Sequence, residues 1–211
     1  MANTHFPNLA AGLVAFVLIA ALPSRADAEE IRSDYTSTAE KACKKVKAAK
    51  PGEEGEWAQW SCPGRGGYRV SVFEADLRMT VSVGHTIAAA EKEPAASESF
   101  GPFNLAKDTV EWRSAAGKPF AIIQRWTIAD NENLEKSGRP ASVPILVVTR
   151  LPPGPVCHVA YIDGQANADA NVLARKAADE TARAFRCGTD TVAIVGKPGR
   201  GTALARPPKQ P

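Results

Sequence analysis

YRVSVFEADLRMTVSVG, residues 68–84, alternates with a period of two. Tyr68, Val70 and Val72 point one way, and beyond the EAD segment Leu77, Met79, Val81 and Val83 do the same, while Arg78, Thr80 and Ser82 point away. Period two belongs to a strand, and two such runs around a turn predict a hairpin with one apolar and one wet face. The stretch before it, CPGRGG at 62–67, resembles a phosphate cradle only in its glycines. A cradle needs a helix whose amino end faces the anion, with Lys and Ser or Thr following the glycines. Here a strand follows, so the loop reads as a glycine bend past Cys62 with Arg65 exposed at its tip.

Downstream, TVEWR and FAIIQRWTI flank the turn-rich SAAGKP and predict a second hairpin. ILVVT at 145–149 is continuously apolar, as suits a central strand buried on both faces, and VCHVAYI at 156–162 is its expected neighbour across the stiff LPPGP turn. The clearest helix runs from Ala170 to Phe185. Ala170, Leu173, Ala174, Ala177, Ala178, Thr181, Ala182 and Phe185 form its stripe, and Arg175–Asp179, Lys176–Glu180 and Asp179–Arg183 are four-apart charge pairs outside it. Upstream, STAEKACKKVKAAKPG opens with Ser37 and Glu40 in capping-box spacing and predicts a short N-terminal helix over 38–49. The basic, proline- and glycine-rich 191–211 reads as a disordered tail. The expected fold is α+β: a mostly antiparallel, twisted sheet of about six strands with the C-terminal helix packed on one face.

The amino-terminal residues stand outside that argument. Leu9 to Leu22 carries no charge, and Ala26 and Ala28 come after it as a small-x-small site, so residues 1–28 read as a secretory signal peptide with cleavage before Glu29. No adjacent cysteine or twin arginine accompanies it, so no stable membrane anchor is expected after cleavage. The mature chain is expected to form one domain over 29–190. The 26 basic and 23 acidic residues of the sequence nearly cancel, which gives no reason to expect nucleic acid as a partner. Cys43, Cys62, Cys157 and Cys187 read as two disulfides of an oxidising compartment. Three connectivities are possible. Cys43–Cys62 and Cys157–Cys187 close the shorter local loops and are expected.

Neither CxxC nor zinc spacing occurs, and no motif calls for a cofactor. The oxygen-bearing Asp163, Gln165, Asn167, Asp169 and Asn171 alternate as in a calcium loop, but Ala168 and Ala174 occupy the positions where an EF-hand needs Gly and Glu. They read instead as a polar loop ending in the cap of the last helix. SxxK, GxSxG and HExxH are missing from the sequence. His158 is expected to be packed or hydrogen-bonded, although a non-standard hydrolase site near His158 and Asp163 is the alternative. Trp112 and Trp126 are expected to fill the core. Arg65, Arg78 and Arg125 are then the candidates for partner binding, since arginines anchor interfaces through a planar donor fork.

CPGRGGYRVSVFEADLRMTVSVG, SFGPFN, TVEWR, PFAIIQRW, ILVVTRLPPGPVCHVAYIDGQANADANVLAR and FRCG resemble a family of uncharacterised exported alpha-proteobacterial proteins, with CPGxGG and VCHVAYID the most specific segments. The likeness covers about residues 34–188, and the lysine-rich segment after Cys43 and the extended tail depart from it. It implies an extracytoplasmic address and one domain, and nothing catalytic. The sequence therefore points to a periplasmic or secreted protein, non-enzymatic, acting as a binding, inhibitor-like or envelope accessory factor. Its partner is expected to be an envelope or extracellular protein or a small ligand.

Overall fold

The computed structural model describes residues 1–3 and 29–205; the proposed leader from Leu9 to Leu22 and residues 206–211 lie outside the described residues. Two sheets form the protein, where the sequence suggested one. The larger has six strands in the order β1 (Ile31–Ser37), β6 (Asn104–Ala115), β7 (Lys118–Leu134), β8 (Pro140–Arg150), β9 (His158–Asp163) and β10 (Ala193–Ile194). The smaller has four, β2 (Lys44–Ala48), β3 (Trp57–Pro63), β4 (Arg69–Ala75) and β5 (Arg78–Gly84). All neighbours are antiparallel except β9 and β10. The mostly antiparallel character holds, and the β content outweighs the helical content more than an even α+β balance suggests.

Alternation along the strands explains the layering. Val70, Val72, Val81 and Val83 from the small sheet face Trp112, Ile122, Trp126, Ile145 and Val147 from the large one, forming the first core. On the opposite face of the large sheet Ile123, Leu146, Val148, Ala160 and Ile162 meet Ala170, Ala174, Ala177 and Ala178 of α2 (Ala170–Thr181), forming the second. The run Ile145–Val148 is apolar throughout because β8 feeds both cores in turn. Alanines on α2 let its axis approach the sheet closely.

Four local expectations are corrected. Residues 38–49 are not a helix: a single 3₁₀ turn at Glu40–Ala42 leads into strand β2. Ser37 Oγ accepts from the Ala39 backbone at 3.1 Å, so the capping box is not made. Its few apolar residues gave a helix nothing to bury, whereas the Cys43–Cys62 bridge and pairing with β3 give a strand both anchor and partner. Leu77 is not on a strand but in the two-residue turn with Asp76, at φ 58° and 49° respectively. The supposedly wet face of that hairpin is partly covered, since Ser71 and Ser82 are buried beside α1 (Ile87–Ala90) and the 3₁₀ turn Pro94–Ala96.

The fourth correction concerns 191–205, which is ordered. β10 extends the large sheet, and α3 (Arg200–Ala205) buries Thr202 and Ala205. Composition misled because polar anchors order the segment. Asp163, 1% exposed, accepts from the Gln165 and Ala166 backbone at 2.9 and 2.8 Å through one oxygen, and from Gly201 and Thr202 at 2.8 and 3.3 Å through the other. Arg200 adds an ion pair to buried Asp130 at 2.5 Å. A Cβ at Gly199 would sit 2.5 Å from the Asp163 carboxylate, so the approach requires glycine there.

Candidate functional site

The CPGRGG loop is a bend. Tyr68 N–H donates to the Arg65 carbonyl at 3.0 Å, closing a turn through Gly66 and Gly67 at φ 59° and 82° before β4 begins. A Cβ on Gly66 would lie 2.8 Å from Pro119, so the loop rests directly on the start of β7. Tyr68 stacks on His85 with centroids 4.4 Å apart. The β6–β7 turn, Ala116 and Gly117 at φ 47° and 74°, brings Lys118, Pro119 and Phe120 beside it. From the other side comes Leu151-Pro152-Pro153, docked by the Leu151 N–H on the Phe120 carbonyl at 2.8 Å.

These three loops enclose a cleft of about 760 Å³, within the range of small-molecule sites. Tyr68, Pro119, Phe120, Leu151, Pro152 and Pro153 make its walls apolar and ring-shaped. Burial raises the Tyr68 pKa, which keeps the phenol neutral. Arg183 lies 4.8 Å over the Phe120 ring and pairs with Glu29 at 2.9 Å at the rim. Arg150, at the end of β8, is only 7% exposed. Its Nη1 donates to the Phe185 carbonyl at 2.6 Å and its Nη2 to that of Pro153, whereas Nε has no acceptor among the described residues. No carboxylate pairs with it among the described residues.

The three arginines chosen from the sequence do not converge, and none lines this cleft. Arg65 is exposed and reaches the Tyr35 carbonyl at 3.3 Å. Arg78 braces its own hairpin turn, donating to the Gly101 carbonyl at 2.9 Å and to Asp76, with Phe103 5.0 Å beneath it. Arg125 contacts Asn171 at 3.2 Å beside α2. Sequence reasoning missed Arg150 and Arg183. A cation ending an otherwise apolar run, with Pro-Pro-Gly soon after it, was the available signal for the first.

His158 is 1% exposed, with Nδ1 2.9 Å from the Tyr161 hydroxyl and Phe100 and Trp126 around it. Burial depresses its pKa to about 3, so it stays neutral. Its backbone N–H donates to Glu98 at 2.6 Å, and burial raises the Glu98 pKa. Asp163 spends both oxygens on backbone N–H groups, and no hydrogen bond joins it to His158. The pair behind the hydrolase alternative is not brought together, and the carboxylate beside the His158 ring is that of Glu98, 3.6 Å from Nδ1. Trp112 and Trp126 are core residues, 0% and 1% exposed. The polar loop before α2 makes no side-chain cap through Asp169; Asn167 instead ties it to Asp163 and Lys197 at 3.0 and 2.9 Å.

Among the described residues no cluster of His, Cys, Asp and Glu has metal-holding geometry, and no helix is long and apolar enough to cross a membrane. Comparisons with protein-family models, curated proteins and solved structures returned no match.

Proposed function

We propose that the protein is a periplasmic or secreted binding protein whose working site is the cleft between the CPGRGG loop, the β6–β7 turn and the Pro152-Pro153 loop. The cleft itself carries this reading: rings and a guanidinium brought together by three loops suit holding a ligand. Its two disulfides, Cys43–Cys62 and Cys157–Cys187, belong to the chemistry of an oxidising compartment and support the address, as does the resemblance to exported proteins. The Cys157–Cys187 bridge also tethers the strand that succeeds the Pro152-Pro153 loop.

The test is saturation-transfer NMR with a mixed library of charged and neutral ring compounds, on the wild type and on Lys118→Trp, which fills the cleft from its exposed rim. Hits that disappear in a Lys118→Trp protein of unchanged Tm support the reading. An absence of hits, or hits indifferent to the substitution, overturns it. Intact mass of the exported product is expected to match a chain starting at Glu29.

A further inference from the structure

We infer that the cleft takes a small amphiphilic anion: a flat apolar or aromatic body carrying one carboxylate, with the acid group held over Arg150. This rests on reading the cleft as the binding site. The lining carries three cations, Lys118, Arg150 and Arg183, against one carboxylate, Glu29, which Arg183 already engages at 2.9 Å. Lys118 and Arg183 are exposed, so water screens them. Arg150 differs. A buried cation is costly unless paired, and two backbone carbonyls offer dipoles but no opposite charge. Among the described residues only two of its five N–H bonds find an acceptor, which leaves donors of the fork geometry that matches a carboxylate.

The rest of the wall selects the body. Tyr68, Phe120 and three prolines contribute ring surface to the lining, with one side of Tyr68 already stacked on His85 and Arg183 lying over the Phe120 ring, and Leu151 completes the apolar wall. Such surface favours a planar ring by contact and stacking, and offers a bare inorganic anion nothing beyond the charge. One deep cation and an apolar wall therefore ask for one acid group on one ring system. Two other grooves of similar size lack this signature: in one of about 680 Å³ beside Leu77, Phe103 and Leu105, Arg139 is open to solvent near Glu135 and buried Asn104 is fully hydrogen-bonded, and in one of about 770 Å³ beside β1 the lining carries Glu29, Glu30 and Asp34 against Arg32.

Two probes of nearly equal shape make the test: naphthalene-2-carboxylate and the neutral 2-naphthalenemethanol, titrated by calorimetry into the full disulfide-bonded protein at about 0.05 and 0.5 M NaCl. The expected result is one site that prefers the carboxylate at least tenfold, with most of that preference surviving high salt because a buried partner is poorly screened. Arg150→Met is expected to abolish the preference, and Arg183→Gln to reduce it less than threefold. Equal affinity for the two probes overturns the anion assignment and leaves the cleft reading standing. Binding of neither overturns both. A preference that vanishes at high salt assigns the charge to the rim and overturns the role of Arg150, a result readable on the wild type even if Arg150→Met does not fold. Displacement of the carboxylate by equimolar inorganic phosphate overturns the requirement for an apolar body.

Discussion

Leu77 occupies the left-handed region at φ 58° with its side chain 60% exposed, beside Asp76 at φ 49°. An L side chain there costs about 1–2 kcal/mol, and so little of this leucine is buried that packing does not offset it. Asp-Gly is the pair that a two-residue turn of this hand favours. Leu77→Gly is expected to stabilise the protein by about 0.5–1 kcal/mol in urea unfolding, net of the entropy lost by glycine. His158 gives a residue-scale prediction of a different kind. Its folded pKa of about 3 lies below the ordinary 6.5, so its contribution is intact above pH 6.5 and is lost as pH falls toward 3, where the unfolded chain takes up the proton first. That loss is roughly 3 kcal/mol by pH 4, and the Tm-versus-pH curve of His158→Phe is expected to lack it. Glu98 acts with the opposite sign. Its raised pKa favours the fold at low pH and becomes a cost as pH rises above the ordinary carboxylate value of 4.5, so it opposes part of the histidine loss within the same pH range.

At the scale of elements, what was legible depended on what each segment buries. β4, β5, β7, β8 and α2 bury apolar side chains at their own periodicities, so spacing alone located them. β2 is exposed along its whole length and is a strand only because β3 lies beside it. α2 shows the same limit in its charges. Arg175 pairs with Glu111 at 2.6 Å and Asp179 with Arg113 at 2.6 Å, so two of the supposed four-apart partners reach across to the sheet and only Lys176–Glu180 remains within the helix, at 4.0 Å. Helical spacing cannot see a partner on another element. α3 was illegible for a related reason, since its anchor Asp163 lies 38 residues upstream of Gly201. Asp163→Ala is expected to destabilise the protein by about 2–3 kcal/mol and to expose the chain after Ile194 to limited proteolysis, whereas the wild type resists cleavage through Ala205.

For the whole molecule, pairing between distant segments decides both architecture and site. β1 pairs in register with β6, Ile31 opposite Ala115, and the small sheet closes over the large one, so the first core draws on residues from Cys62 to Ala205. The sequence revealed the strands but not their division into two sheets, because a hairpin pattern is the same in either. The candidate cleft was half legible. Its CPGRGG wall and LPPGP turn stood out as motifs, but that Gly66 meets Pro119 is a fact of tertiary contact alone. The bridges act at this scale too. Cys157–Cys187 spans 30 residues and joins the start of β9 to the chain beyond α2, so replacing both cysteines with serine is expected to cost roughly 3 kcal/mol in chemical denaturation, and non-reducing peptide mapping should recover this pair and Cys43–Cys62.

The Asp163 carboxylate also orders events in time. In a chain delivered amino end first, β9 is complete while Gly201 and Thr202, 38 and 39 residues further on, have yet to arrive. Until they do, two of the four donors to a nearly inaccessible charge are missing, and sealing that end of the large sheet around it is unfavourable. The carboxylate therefore leaves that end of the large sheet unsealed until Gly201 and Thr202 emerge, and then rewards their arrival.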